Sequence, residues 1–86
     1  MASVEEIKMN IAVSVSGADR AIAGIQMAGD QLDQSLAMLR LTTVGSFHPA
    51  ATAAIAHLEQ ARARLDEATQ LTRAAMDSAN QFRGGI

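Results

Sequence analysis

The chain has no cysteine, tryptophan or tyrosine, and its 86 residues include one proline and two phenylalanines. Without cysteine, neither disulfides nor a thiolate metal site can stabilise so small a domain. Two aromatic side chains are too few for a platform on which bases stack, and a net charge of −2 argues against a basic face for phosphates. We therefore expect no nucleic-acid partner.

Long apolar runs are also absent. No stretch approaches the roughly 20 apolar residues of a membrane-spanning helix. Membrane-surface helices usually carry a polar face rich in Lys and Arg, whereas this chain has acidic residues on both predicted helices. We therefore do not expect a membrane partner. The N-terminal stretch MASVEEIKMN has Glu5 and Glu6 where a secretory signal peptide has a basic region followed by an apolar one. The expected location is the cytoplasm, or outside the cell after export without a conventional signal peptide.

Helix-breaking residues concentrate in one central segment. Gly45 fits the left-handed position that follows a helix C-terminus. Ser46 or His48 can cap the next helix, and Pro49 is tolerated in a first helical turn. These four residues predict a tight turn between two helices.

The rest of the chain follows a helical pattern. Ser3 and Glu6 have the spacing of a capping box, which marks the start of the first helix. We predict one domain over residues 1–86, with helix one at about 4–42, a turn at about 43–47, helix two at about 48–82 and a short tail at 83–86. A kink at Gly17 is an alternative to one straight first helix. A short turn makes the two helices antiparallel neighbours.

Each helix has an apolar or small stripe with steps of three and four residues. On helix one the stripe comprises Val4, Ile7, Ile11, Val15, Ala18, Ile22, Ile25, Gly29, Leu32, Leu36 and Leu39. On helix two it comprises Ala51, Ile55, Leu58, Ala61, Leu65, Ala68, Thr72, Ala75, Ala79 and Phe82. The predicted fold is an all-α, coiled-coil-like antiparallel hairpin. Because such a hairpin has a small core, we expect it to assemble into a four-helix bundle or a larger oligomer. Opening at the turn into a domain-swapped dimer would keep the same contacts.

Helix one has a second set of apolar and small residues away from this stripe. The set comprises Met9, Val13, Gly17, Ala21, Gly24, Met27, Ala28 and Met38. Small residues allow close approach of another backbone, and methionine adapts to irregular partners. We predict a partner interface at these residues; the alternative is that they are scattered surface residues without a role.

Charged residues predict solubility and not chemistry. Arg62–Asp66 and Arg73–Asp77 are four-apart pairs on the solvated face of helix two. His48 and His57 point to different sides, and neither joins a cluster of ligands. Asp30 and Asp33 share a face of helix one, but the sequence offers no acid, base or ligand beside them. We therefore predict no catalytic residue, metal site, cofactor or small-molecule substrate, and hence no enzyme.

The turn region DQSLAMLRLTTVGSF, residues 33–47, resembles the turn of the WXG-type helical-hairpin proteins of type VII secretion systems. Val44 and Gly45 lie near the place of that family's Trp-x-Gly motif. The resemblance implies a hairpin that pairs with itself or with another small helical protein, and a secretion-associated role. The chain departs from the family because it has neither the tryptophan nor the tyrosine of the C-terminal secretion signal.

Two further resemblances concern the turn. Gly45, Ser46, His48 and Pro49 are similar in order to the Gly-Ser-x-His-Pro turn of alanine-rich actinobacterial hairpin proteins, which implies no activity. Type III needle subunits are also short hairpins and form helical tubes. The sequence thus favours a non-enzymatic protein–protein interaction module that oligomerises through helix one. A structural subunit of a tube or shell, or a small adaptor or regulator, is the alternative.

Overall fold

The computed structural model describes residues 2–86, which form two helices, α1 at Val4–Thr42 and α2 at Pro49–Gly85, with no strand among them. Two contacts between the helices give their direction. Arg40 lies beside Glu59, whereas Asp33, earlier in α1, lies beside Arg62, later in α2. The helices are therefore antiparallel, and the chain is an all-α helical hairpin measuring 63 × 18 × 16 Å.

The start of α1 follows from its capping residue. The Ser3 hydroxyl oxygen accepts a hydrogen bond from the Glu6 backbone N–H at 3.1 Å. This contact satisfies one of the free N–H groups of the first turn, and Glu5 and Glu6 place negative charge near the positive end of the helix dipole. The helix has the bounds expected from the sequence and continues through Gly17 without a break.

The turn is built by the residues that the sequence singles out. Gly45 has φ +80°, the left-handed conformation that costs glycine nothing. The Ser46 backbone N–H donates to the Thr43 carbonyl oxygen at 2.9 Å. Of the two candidate caps, His48 caps α2, because its Nδ1 accepts from the Ala50 N–H at 3.0 Å. Helix α2 therefore begins at Pro49, one residue later than predicted.

The C-terminal end of α2 differs from the prediction. The helix does not stop at about residue 82 but includes the expected tail as far as Gly85. Neither Gly84 nor Gly85 has a positive φ, so both keep a helical backbone, which glycine disfavours without forbidding. Arg83 places positive charge in the last turn, where it favours the negative end of the helix dipole.

The α1 stripe forms one side of the contact between the two helices, which we call the seam. Ile22 and Leu36 are the most buried large side chains, at 6% and 4% exposed. The remaining stripe residues are buried or half-buried, apart from Val4 at the open end of the hairpin. Two well-buried large residues make a small core, as expected for two helices that cover each other on one side only.

The α2 stripe is partly wrong in its second half. Ala75 and Phe82 are exposed, and Met76, Asn80 and Arg83 are half-buried in their place. The seam follows a regular four–three spacing through Thr72, Met76, Ala79 and Arg83, with Asn80 alongside. The predicted stripe contains the apolar Ala75 and Phe82, which do not keep this spacing. A straight helix keeps one register along its partner, so the spacing, and not hydrophobicity, determines which residues lie in the seam.

Candidate interaction surface

The large residues of the predicted interface are exposed on α1. Met9, Val13, Met27 and Met38 expose between 63% and 66% of their surface. At about 100° per residue they lie nearly opposite the seam stripe, so α2 does not cover them. We call these four residues the methionine face. The structure thus places them along one side of the rod, where most of their surface remains exposed.

The small residues of the predicted interface lie between the methionine face and the seam. Ala21 and Gly24 are exposed, and Gly17 and Ala28 are half-buried. A Cβ atom added at Gly24 would meet nothing within 4 Å, and one at Gly17 would approach only the Arg20 guanidinium, at 3.9 Å. Packing within the hairpin therefore does not require glycine at either position.

Gly29 is different, because a side chain of α2 lies against it. A Cβ atom there would lie 3.0 Å from Arg62 Cζ and 3.1 Å from Arg62 Nη1. Arg62 Nε donates to Asp33 Oδ1 at 3.0 Å, and Arg62 Nη1 donates to Asp66 Oδ1 at 2.7 Å. The hydrogen bonds to Asp66 and Asp33 raise the pKa of Arg62 above its ordinary value. The guanidinium thus crosses the seam over Gly29 and joins both helices.

Sequence reasoning missed this cluster. It assigned Arg62 to the solvated face with Asp66, and that pair is present, but it left Asp33 without a partner. A signal was available, since Arg62 is four residues after Leu58 and three before Leu65, both in the seam. An arginine at a seam position can extend along the contact and reach a carboxylate at the edge of the partner helix.

The other ion pairs are on the surface. Arg40 Nη2 lies 3.1 Å from Glu59 Oε1 across the two helices, and Arg64 Nη1 lies 2.9 Å from Glu67 Oε2 within α2. All four side chains are more than half exposed, so each pair contributes little to stability.

The turn end of the rod carries a second apolar surface, which sequence reasoning also missed. Leu41, Val44 and Phe47 are 72%, 78% and 95% exposed. We call these three residues the apolar tip. An open groove of about 610 Å³ lies beside it, lined by Gln31, Gln34, Ser35, Met38, Leu39, Thr42 and Leu58. The three-residue spacing from Met38 to Phe47 was the available signal, since it carries apolar residues straight through the turn.

Candidate ligands for a metal are not gathered in one place. Among residues 2–86, no three His, Asp or Glu side chains are close enough to hold an ion together. His48 caps α2, and His57 is exposed on it. Within the same residues, neither helix is both long and apolar enough to cross a membrane.

Fold and surface together define the chain as an all-α helical hairpin with an uncovered apolar face on one helix and an apolar tip. No protein-family model matches the chain, and no curated protein or solved structure matches it either. The resemblance to WXG-type hairpins therefore remains a prediction.

Proposed function

We propose that the chain is a non-enzymatic protein–protein interaction module that assembles through α1, with a second copy or with another small helical protein. The observation that carries this proposal is the methionine face, whose four side chains remain about two-thirds exposed after α2 has packed. A second helical hairpin on this face would bring four helices together. The WXG-like turn adds a secretion-associated role to the proposal.

The small core supports assembly. Ile22 and Leu36 are the only large hydrophobic side chains of residues 2–86 that are buried, and the chain has no disulfide. Small scaffolds without such links commonly gain their stability from oligomerisation. Each large apolar side chain that a partner covers fully contributes about 1.5–3 kcal/mol. The methionine face can therefore supply stability that the single hairpin lacks.

The two glycines beside the methionine face also support this surface. Gly17 and Gly24 each cost α1 about 1 kcal/mol relative to alanine, and neither is needed for packing against α2. A second helix lying over them would gain close backbone approach. This gives the two glycines a role on the outer side of the hairpin that they do not have inside it.

A charge placed on the methionine face tests the proposal. Met27→Asp puts a carboxylate at the centre of the face, and Leu71→Asp is the matched control, because Leu71 is 71% exposed on α2. Light scattering and circular dichroism over a wide concentration range should show that the wild type and Leu71→Asp associate. Met27→Asp should lose the association through α1 and so require a much higher concentration to associate at all. A helical wild-type monomer whose unfolding does not depend on concentration would contradict the proposal.

A structural subunit of a tube or shell is the second candidate function. The observation that favours it is the apolar tip, because a subunit of an extended assembly needs a contact surface besides the side of its rod. Electron microscopy of concentrated protein should then show regular particles or filaments. A discrete dimer at the highest concentration would contradict this candidate and leave the interaction module in place.

A further inference from the structure

The apolar tip and its neighbouring groove lie at the same end of one chain. Phe47 is 95% exposed, which leaves an aromatic side chain with almost no contact in its own hairpin. The groove beside the tip has apolar walls from Met38, Leu39 and Leu58 and polar walls from Gln31, Gln34, Ser35 and Thr42. One end of the molecule thus carries both a projecting aromatic ring and an open, partly apolar groove.

We propose that two hairpins associate tip to tip, with Phe47 of each copy seated in the groove of the other. A twofold axis makes such an arrangement self-complementary, since the ring of one copy meets the groove of the second and the reverse holds as well. This contact shares Met38 with the methionine face but is centred on Phe47 and the turn, so it goes beyond the proposed function.

The charge distribution favours a second copy as the occupant. No Asp, Glu, Lys or Arg occurs from Leu41 to Leu58, so two such ends meet without repulsion between like charges. The nearest charges, on Arg40 and Glu59, pair with each other within one hairpin. A partner recognised by charge would find no unpaired charged group here, whereas an equally uncharged apolar end fits.

The available area sets the strength of the contact. Leu41, Val44 and Phe47, together with the neighbouring Met38, expose roughly 500 Å² per copy. Two copies would therefore bury about 1,000 Å², the lower end for a specific interface. The expected complex is a weak dimer that forms at high concentration. Phe47 is its expected anchor, because aromatic residues seated in pockets dominate such interfaces.

Small-angle X-ray scattering combined with sedimentation velocity distinguishes this dimer from one formed through α1. A tip-to-tip dimer is much longer than the 63 Å of one hairpin, whereas a side-by-side dimer of hairpins keeps nearly that length. Phe47→Ser removes the ring with almost no loss of contact inside the hairpin. Phe82→Ser makes the same chemical change at the other end of the rod, where Phe82 is 56% exposed.

The expected result is an elongated dimer of Met27→Asp, which cannot associate through α1, and of Met27→Asp combined with Phe82→Ser; adding Phe47→Ser to Met27→Asp should raise its Kd at least about tenfold. A compact dimer of the wild type that Phe47→Ser leaves unchanged, with Met27→Asp monomeric, would overturn the tip contact and support the proposed function. A monomer at every concentration would overturn both. Binding of neutral phosphatidylcholine vesicles that requires Phe47, without self-association, would also overturn the proposal and assign the tip to a lipid surface.

Discussion

Replacing Gly29 by alanine tests whether the guanidinium of Arg62 accounts for this glycine. Alanine is favoured over glycine by about 1 kcal/mol in a helix interior, so the substitution should stabilise α1 if nothing opposes it. At Gly29 the new methyl group would lie 3.0 Å from Arg62 Cζ, so the guanidinium must move. Moving it lengthens the hydrogen bonds to Asp33 and Asp66. We therefore expect Gly29→Ala to gain clearly less than the full propensity difference.

Gly24→Ala supplies the matched control on the same helix. A Cβ atom at Gly24 meets nothing within 4 Å, so the full gain of about 1 kcal/mol should appear. For a domain of this size, that gain raises the melting temperature by about 4–8 °C. The difference between the two variants isolates the contact at Gly29, because both substitutions add one methyl group to the interior of α1.

Thermal and urea unfolding of dilute protein, followed by circular dichroism, measures these gains. The low concentration matters because Gly24 borders the proposed partner surface, where a methyl group can also weaken assembly. The two glycine substitutions should then be repeated in an Arg62→Ala background. Without the guanidinium, Gly29→Ala should recover a gain close to that of Gly24→Ala, whereas the gain at Gly24 should not change.

Two outcomes would refute this reasoning. If Gly29→Ala and Gly24→Ala stabilise the wild-type background equally, the guanidinium moves away at no cost and does not hold the two helices together. If Gly29→Ala still gains less than Gly24→Ala after Arg62 is removed, some other neighbour of Gly29 is responsible. This double-mutant cycle of Gly29→Ala and Arg62→Ala thus separates a contact with Arg62 from a general intolerance of side chains at this buried position.

Two further substitutions test the turn and the core. Gly45→Ala should destabilise the hairpin by about 1–2 kcal/mol, because φ +80° strains any residue with a Cβ. Gly84→Ala is the control, at a glycine with negative φ, and should not destabilise the hairpin. Urea unfolding of both variants checks this, and equal stability of the two would exclude strain at the turn. Leu36→Ala should lower the free energy of unfolding by about 2–4 kcal/mol, because Leu36 is 4% exposed. Met27→Ala, at a residue that is 66% exposed, should have little effect in dilute protein. Similar losses of stability in the two melting curves would mean that the hairpin seam is not the core.

Local sequence signals were sufficient for the helix ends near them. Ser3 caps α1, Gly45 takes the left-handed conformation and Pro49 occupies the first turn of α2. Each of these residues acts on the backbone within a few positions, so no knowledge of the partner helix is needed. At the C-terminus, Gly84 and Gly85 were weaker signals, because glycine disfavours a helix without ending it.

The α2 seam was harder to predict because it depends on register. Arg62 and Arg83 are charged, so a search for apolar residues passes over them, yet both lie at positions that face α1. Whether a charged residue can occupy such a position depends on its neighbour across the seam. Gly29 leaves room for the Arg62 guanidinium, and that match involves residues far apart in the sequence. The apolar tip was missed for a related reason, since exposure depends on which side chains the turn leaves uncovered.

The two proposed contact surfaces have a joint consequence for assembly. The methionine face extends along the side of α1, and the apolar tip closes one end of the rod, so the two surfaces face different directions. If each surface binds a second copy about its own twofold axis, one hairpin touches two others. The assembly then stays finite only if the two axes are arranged so that the copies close into a ring. Use of one surface gives a discrete module, whereas use of both gives an extended assembly. The choice between an interaction module and a structural subunit therefore depends on whether Phe47 and Met27 are buried in the same particle.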